Sequence, residues 1–587
     1  MIEDLRDRRL ALGATGLLRT FNAADVLNAA DVHVAQRLGA LVEEADETVL
    51  LATALAVRAV RAGSTCLDLD TVADLPVEHP EPLPWPAPEE WITRVGASPL
   101  VDQQLLRLVG SRLYLDRYWR EEGQVCDDLV ARLRRPAPEV DATALDAGVL
   151  RIFPREGYDE QRAAARAAAS QWTTVLTGGP GTGKTTTVAG LLALVAEQHE
   201  RTTGQPPRIA LCAPTGKAAA RLQEAVQEEV GKLGDATDRE RVSGLAALTL
   251  HRLLGWRPDS RVRFRHHRAN RLPHDVVVVD ETSMVSLTMM ARLLEAVRPD
   301  ARLVLVGDPD QLASVEAGAV LADLVAGFED HPSSPVHALR TTHRFGAHIG
   351  TLAQALRDGD PDTVMAELTA GSEEIELVDP ADEAAMTAFR ARVADVAVEL
   401  RLAGEDGDAE RALAALARHR LLCAHREGPY GVGGWNRQVE RLVAERTGVT
   451  HYDEWYAGRP ILVTANDYDQ LLNNGDMGAT IRRADRLRVV VQLGSQVREF
   501  ATTRLSGVET VHAMTVHKSQ GSQAETVSVV LPDEGSRLLT RELFYTAVTR
   551  AQQRVRVVGT EAAVRAAVAH QVQRASGLRE RLREALG

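Results

Sequence analysis

Short β-branched runs alternating with Ala- and Leu-rich helical stretches predict an α/β protein whose parallel sheets carry helices on both faces. Two further observations sharpen this. The glycine-rich segment Gly178–Thr185 stands between one such run and the start of a helix, and the all-valine run Val276–Val279 ends in the paired acids Asp280 and Glu281. The predicted strands are Thr173–Thr177, Arg208–Cys212, Val276–Val279 and Arg302–Val306, then Leu421–Ala424, Val527–Leu531 and Val555–Val558. They fall into two sets, joined around residues 325–340.

The first 140 residues have a different texture. Val26, Ala30, Val34 and Leu38 recur at helical spacing, so residues 20–62 read as helices. The proline-rich stretch Pro76–Pro88 reads as a surface connection. A second helical block contains Leu113–Trp119 and ends near Pro136–Pro138, a linker to the sheets.

At 587 residues, 45% hydrophobic and 26% charged, the chain has apolar material for three or four cores. Aromatics are scarce at 4%, so helices should dominate between the motifs. The net charge of −14 argues against a protein that coats nucleic acid through its overall field. That acid is concentrated in Glu43–Glu47, Ser372–Glu383 and Glu405–Glu410, which leaves room for a local strand channel. Cys66, Cys126, Cys212 and Cys423 lack paired metal or redox spacing and read as reduced thiols. The charged N-terminus and the lack of a run of roughly 18 apolar residues predict a cytoplasmic protein with no membrane partner.

Gly178-Gly179-Pro180-Gly181-Thr182-Gly183-Lys184-Thr185, followed by Thr186, has the phosphate-loop spacing in its strand–loop–helix context. Backbone N–H groups and the helix dipole suit phosphate oxygens. Lys184 suits the β- and γ-phosphates of ATP, and the Thr185 hydroxyl suits Mg²⁺. Asp280 supplies the second Mg²⁺ anchor and Glu281 the general base for the attacking water. No acid pair followed by lysine at metal-site spacing points to a nuclease centre.

Beyond the loop, Asp280–Val285 (DETSMV) and Gly307–Leu312 (GDPDQL) resemble the superfamily-one helicases. The resemblance implies that Gln311 senses the γ-phosphate and that Gln161 reads adenine. It also implies that Arg344 and Arg550 reach the γ-phosphate from a second domain, with Gly521 and Glu525 facing the nucleotide. A planar, permanently charged arginine suits that task. By the same resemblance Pro214, Thr215, Thr249, His251, Asn466, Thr515 and His517 face single-stranded DNA, mostly through its backbone. For Thr215, Thr249 and His251 a local capping role is the open alternative.

Leu421–Val432 (LLCAHREGPYGV), Gly458-Arg459-Pro460, Asn466-Asp467-Tyr468 and Asn474–Gly478, with Cys66–Leu69 and Leu113–Trp119, are similar to the RecD family of RecBCD helicase–nuclease subunits. That similarity implies two RecA-like motor domains, residues 141–335 and 336–587, after a mainly helical N-terminal docking domain, 1–140. A strand-separating hairpin at 256–273 and an SH3-like module at about 475–511 would be inserts. It further implies 5′→3′ movement on DNA from duplex ends, in a heterotrimer with RecB-like and RecC-like subunits. A free-standing helicase is the alternative, and the short N-terminus favours the complex. A scaffold that no longer hydrolyses ATP is disfavoured, since Glu281, Gln311 and Arg550 are all present.

Overall fold

The structure is a computed structural model that describes residues 7, 9–75, 82–257, 260–342, 346–450, 453–467, 469–494, 496–572 and 574–587, with the backbone alone of 260–262. Its centre is a six-stranded parallel sheet in the order Val336–Leu339, Thr173–Gly178, Arg302–Gly307, Val276–Val279, Ile209–Ala213, Ala247–Thr249. Val276, Val277, Val278 and Val279 are each fully buried, because helices cover both faces and neither side chain direction meets water. The four strands expected in this half lie where the sequence put them, to within a residue or two. Val336–Leu339 closes the sheet edge, so the chain leaves the first sheet only after Leu339, at the end of the stretch expected to join the two sets.

A second, five-stranded parallel sheet runs Ile375–Val378, Ala551–Val558, Ala524–Val530, His419–Cys423, Ala513–Thr515. Its first and last strands have four and three residues and were not visible as apolar runs. Beside it stands a five-stranded antiparallel sheet, Gln496–Ala501, Arg486–Leu493, Met477–Arg483, Pro460–Val463, Val508–Thr510. The first of these strands in the sequence begins at Pro460, upstream of residue 475, about where the SH3-like insert is expected to start. Pro460–Val463 pairs with both Met477–Arg483 and Val508–Thr510, a non-local pairing that a local pattern does not reveal.

The N-terminal part holds helices Gly16–Ala23, Ala29–Val42 and Glu47–Arg61, as expected in kind. The helical phase differs. Val26 is buried, but Val34 is 40% exposed, and it is Val32, Ala35 and Gly39 that face inward. The buried carboxylate of Asp31 sets that rotation: it closes the capping box at Asn28 and pairs with Arg61 at 2.8 Å. The block containing Leu113 also needs correction. Arg112–Leu115 is a strand, paired antiparallel with Leu106–Val109 and Leu67–Asp68, and the helix begins only at Asp116.

That helix, Asp116–Arg134, shares a core with the first sheet. Val125, Leu129 and Val130 pack in the same cluster as Val277 and Leu303, joined by Leu578 and Leu582 of the last helix. Arg132, 6% exposed, donates to Thr173 Oγ1 at 2.9 Å and to the Trp172 carbonyl at 2.8 Å. The chain end is clamped too. Buried Glu122 accepts from Thr65 Oγ1 (2.5 Å), Ser576 Oγ (3.1 Å) and the Gly577 N–H (3.1 Å). All four cysteines are buried and none forms a disulfide. Among the described residues no helix is long and apolar enough to cross a membrane.

Candidate active site

Parallel strands bring loops from distant sequence to one edge, the carboxyl ends of the strands. Gly178, Ala213, Thr249, Val279 and Gly307 end five strands of the first sheet, so the loops after them converge. Gly181 and Gly183 take φ of +83°, the left-handed region that a side chain disfavours, and this curls the loop ahead of helix Lys184–Thr203. Glu281 also adopts a left-handed φ, +51°, a strained setting for a residue with a side chain and one found where sites demand it.

Between the two sheets lies a cavity of about 700 Å³. Gln161, Pro180, Gly181, Gly183, Lys184, Thr185 and Thr186 line it together with Asp280, Glu281, Gln311, Gly521 and Arg550. Thr182 packs beneath the loop, fully buried, and donates to the Gly179 carbonyl at 2.9 Å. Lys184 Nζ donates to the carbonyls of Gly178 (2.5 Å) and Gly179 (2.9 Å). Burial lowers the pKa of its ammonium from the usual lysine value, against the pull of Asp308, Glu281 and Asp280. Burial likewise raises the Asp280 carboxyl, and neighbouring Glu281 adds to it.

The far wall comes from the second sheet. Arg550, 4% exposed and just before strand Ala551–Val558, donates from Nη2 to Gln311 Oε1 at 2.9 Å and from Nε to the Thr546 carbonyl at 3.2 Å. Gln311 Nε2 in turn donates to Asp308 Oδ2 at 3.0 Å, which also accepts from the Tyr545 hydroxyl at 2.9 Å. Two further bonds cross the cleft, Leu312 N–H to Thr546 Oγ1 (2.8 Å) and Gln520 Nε2 to the Leu312 carbonyl (2.9 Å). Burial lowers the Arg550 value, and burial followed by Asp308 raises that of Tyr545. Gln161 Nε2 reaches the Thr182 carbonyl at 3.5 Å, while its buried Oε1 has no hydrogen-bond partner among the described residues.

Not every expected residue joins this site. Glu525 is exposed on strand Ala524–Val530 and does not line the cavity; Gln523 lies there instead. Arg344 falls outside the described residues.

The strand candidates sort by chemistry. Thr215, Thr249 and Thr515 each cap a helix, accepting from Ala218 N–H (3.2 Å), Arg252 N–H (3.2 Å) and Lys518 N–H (3.3 Å). The capping alternative therefore holds for both threonines for which it was open. A capping hydroxyl accepts, however, and keeps its own proton to donate, so a phosphate contact is compatible with it. His251 is exposed, edge-on to Phe264 at 5.8 Å, whereas His517 is half-buried and burial holds its imidazole below the usual value. Pro214 is half-buried beside Thr215, and exposed Asn466 accepts from the Asn474 N–H at 2.8 Å.

A family model described as the RecBCD enzyme subunit RecD, N-terminal domain, matches residues 23–114. An AAA domain model matches 156–379, and a UvrD-like helicase C-terminal domain model matches 510–558. The chain is 61% identical over 573 residues to the RecBCD enzyme subunit RecD of Mycolicibacterium smegmatis, covering 97% of this chain and 99% of that one. The chain belongs to the RecD family. It is thereby a P-loop helicase and a DNA-dependent ATPase. The RecBCD enzyme subunit RecD of Mycobacterium tuberculosis is 59% identical over 582 residues, 98% of this chain and 99% of that one. The ATP-dependent RecD2 DNA helicase of Deinococcus radiodurans is 32% identical over 492 residues, 83% of this chain but 61% of that one.

Three contributors to this RecD-family site escaped the sequence reading. Tyr545 opens the Tyr545–Arg550 segment, and its position one helical turn before Thr549 could have flagged it. Arg221 lines the cavity and donates to the Gly521 carbonyl at 3.2 Å; it lies one turn after Lys217 on helix Gly216–Lys232. Arg357, which pairs with Asp310 at 2.9 Å, carries no sequence signal.

Proposed function

We propose that this helicase is the 5′→3′ single-strand motor of a RecBCD-type heterotrimer, hydrolysing ATP in the cleft between two RecA-like domains while pulling DNA from a duplex end. One observation carries the reading: a buried arginine of the second sheet's unit donates to the glutamine of the first unit's phosphate-loop site. A triphosphate entering the cavity would exchange the neutral partners of Lys184 and Arg550 for anionic oxygens, and both halves of the cleft would then bind one ligand. Glu281 takes the proton of the attacking water, Gln311 orients that water, and Lys184 with Arg550 stabilises the transferring phosphoryl group. Gln161 offers its unpartnered amide oxygen to the adenine amino group.

The Thr185 hydroxyl and the half-buried Asp280 carboxylate, beside Glu281, form a hard-oxygen set that fits Mg²⁺. Mg²⁺ held by Thr185 and Asp280 would supply positive charge against the triphosphate. Near-complete correspondence with subunits of RecBCD enzymes, against 61% of the RecD2 helicase, supports RecB-like and RecC-like partners over the free-standing alternative. Residues 1–140 then serve docking, residues 256–273 strand separation, and the antiparallel insert a wall of the strand path. Strand displacement by the reconstituted complex, with the partner motor inactivated, tests the polarity. Duplexes with a 5′ tail should unwind, and unwinding of 3′-tailed duplexes alone would overturn it.

A further inference from the structure

Arg221 faces the nucleotide cavity without a partner suited to its charge. Helix Gly216–Lys232 starts beyond the carboxyl end of strand Ile209–Ala213, where Thr215 caps it. Ala218, Arg221, Leu222, Ala225, Glu228 and Glu229 recur at helical spacing, so one face of this helix forms a wall of the 700 Å³ cavity.

On that wall Arg221 is half-buried. Among the described residues its one hydrogen bond runs from Nη1 to the Gly521 carbonyl, at 3.2 Å. The two acids on the cavity face of the same helix are committed elsewhere, since Glu228 and Glu229 hold Lys232 at 2.8 and 2.6 Å. A single neutral acceptor uses little of a guanidinium's fork of donors. The charge of Arg221 is felt at two groups of the site. Burial and Glu281 raise the Asp280 carboxyl, and Lys184 and Arg221 oppose them. Burial lowers the Arg550 value, Glu281 raises it, and Arg221 lowers it again. Two guanidiniums of like charge, one from each unit, thus converge on the end of the cavity that holds Asp280.

The Gly521 carbonyl belongs to the second sheet's unit, and a Cβ added at Gly521 would lie 3.6 Å from that of Ala218. The helix therefore touches the second unit at the point where Arg221 bonds to it. Phosphate oxygens entering the cavity are better acceptors than this carbonyl, because bonds between ionised partners are shorter and roughly twice as strong.

We propose that Arg221 is a ligand of the ATP γ-phosphate, supplied by the first unit opposite Arg550, and that it gives up the Gly521 carbonyl for that contact when ATP binds. ADP lacks the acceptor and leaves the bond to Gly521 in place. Arg221 thereby makes the site discriminate ATP from ADP. This role rests on the ATP-hydrolysing cleft proposed for the chain.

Displacement of a fluorescent nucleotide from the full complex, with the partner motor's nucleotide site disabled, reads the test. Competitors are ADP and the β,γ-imido analogue of ATP, each with Mg²⁺. Arg221→Ala should weaken the analogue roughly ten- to a hundred-fold, the scale of one charged hydrogen bond, and ADP by less than about threefold. Arg221→Gln keeps an N–H donor for the Gly521 carbonyl but no charge, so it should behave like Arg221→Ala. Arg221→Lys keeps the charge without the fork and should fall between the two. Should Arg221→Ala fold poorly, the Gln and Lys variants carry the same comparison, with ADP affinity reporting an intact site. Equal losses for both nucleotides, or no loss for either, overturn the γ-phosphate contact. Wild-type affinity for the analogue in Arg221→Gln would make the Gly521 bond the residue's function and overturn it too. A wild-type complex that binds neither nucleotide overturns the ATP cleft and this role together.

Discussion

Replacing Arg550 with alanine separates the two roles a buried arginine can have, folding and chemistry. Its guanidinium donates to one side-chain carbonyl and one backbone carbonyl, Gln311 Oε1 at 2.9 Å and Thr546 O at 3.2 Å. Bonds from a charged donor contribute ~1.5–3 kcal/mol each, but burying the cation costs a comparable amount in lost hydration. The balance in folding should then be small, about 1–2 kcal/mol in either direction. In the phosphoryl-transfer step the same group faces developing negative charge, where finger arginines contribute ~10³–10⁵ to the rate, about 4–7 kcal/mol at 1.36 kcal/mol per decade. Arg550→Ala should therefore cut DNA-stimulated kcat by about a thousandfold or more. Nucleotide affinity should stay within about tenfold and the denaturation midpoint should barely move. Arg550→Lys, a point charge without the fork, should fall between the two. Steady-state hydrolysis with saturating poly-dT, paired with displacement of a fluorescent nucleotide, reads both quantities. A large loss of affinity with normal turnover at saturation would refute the assignment.

Glu281→Gln keeps the size of the side chain and removes its basicity, so turnover should fall by about 10² or more while nucleotide binding persists; turnover within a few-fold of wild type would remove Glu281 from the base role. Shortening the hairpin 256–273 to a Gly-Ser turn should spare ATP-driven translocation on single strands and sharply reduce unwinding, compared by stopped flow with the partner motor inactivated. Equal unwinding would leave the hairpin as a solvated loop. Burial pushes the Asp323 carboxyl up from 3.8 to about 7, helped by Glu122 and Glu580 and opposed by Ser576. A raised acid favours folding below its unfolded value and loses that contribution as pH climbs through about 7. Asp323→Asn should thus raise the denaturation midpoint at pH 8 more than at pH 5, and an unchanged difference between the two pH values would show that Asp323 is not the titrating group.

What the sequence disclosed follows from how local each signal is. The phosphate loop and the acids after Val279 combine a fixed spacing with a strand end, and the structure lines one cavity with Lys184, Thr185, Asp280 and Glu281. Gln311 and Arg550 needed the family resemblance, because 239 residues separate two groups that hydrogen-bond. The Tyr545–Asp308 bond and the Gln520–Leu312 bond were invisible for the same reason. The cut at residue 140 was read from prolines, yet helix Asp116–Arg134 already belongs to the first sheet's core, sealed by Leu578 and Leu582 from the other end of the chain. A spacing of apolar residues also fixed the presence of helix Ala29–Val42 but not its rotation, since an inward carboxylate, Asp31, outranks Val34 through its ion pair with Arg61.

Whether this cleft hydrolyses ATP to drive movement on DNA is decided by comparing the wild-type complex with Lys184→Ala. ATP turnover with and without single-stranded DNA is measured alongside binding of the same DNA, with the partner motor inactivated in both. DNA-stimulated turnover is expected in the wild type and its loss in Lys184→Ala, with single-strand binding by this chain largely retained. Turnover in Lys184→Ala within a few-fold of wild type would contradict it.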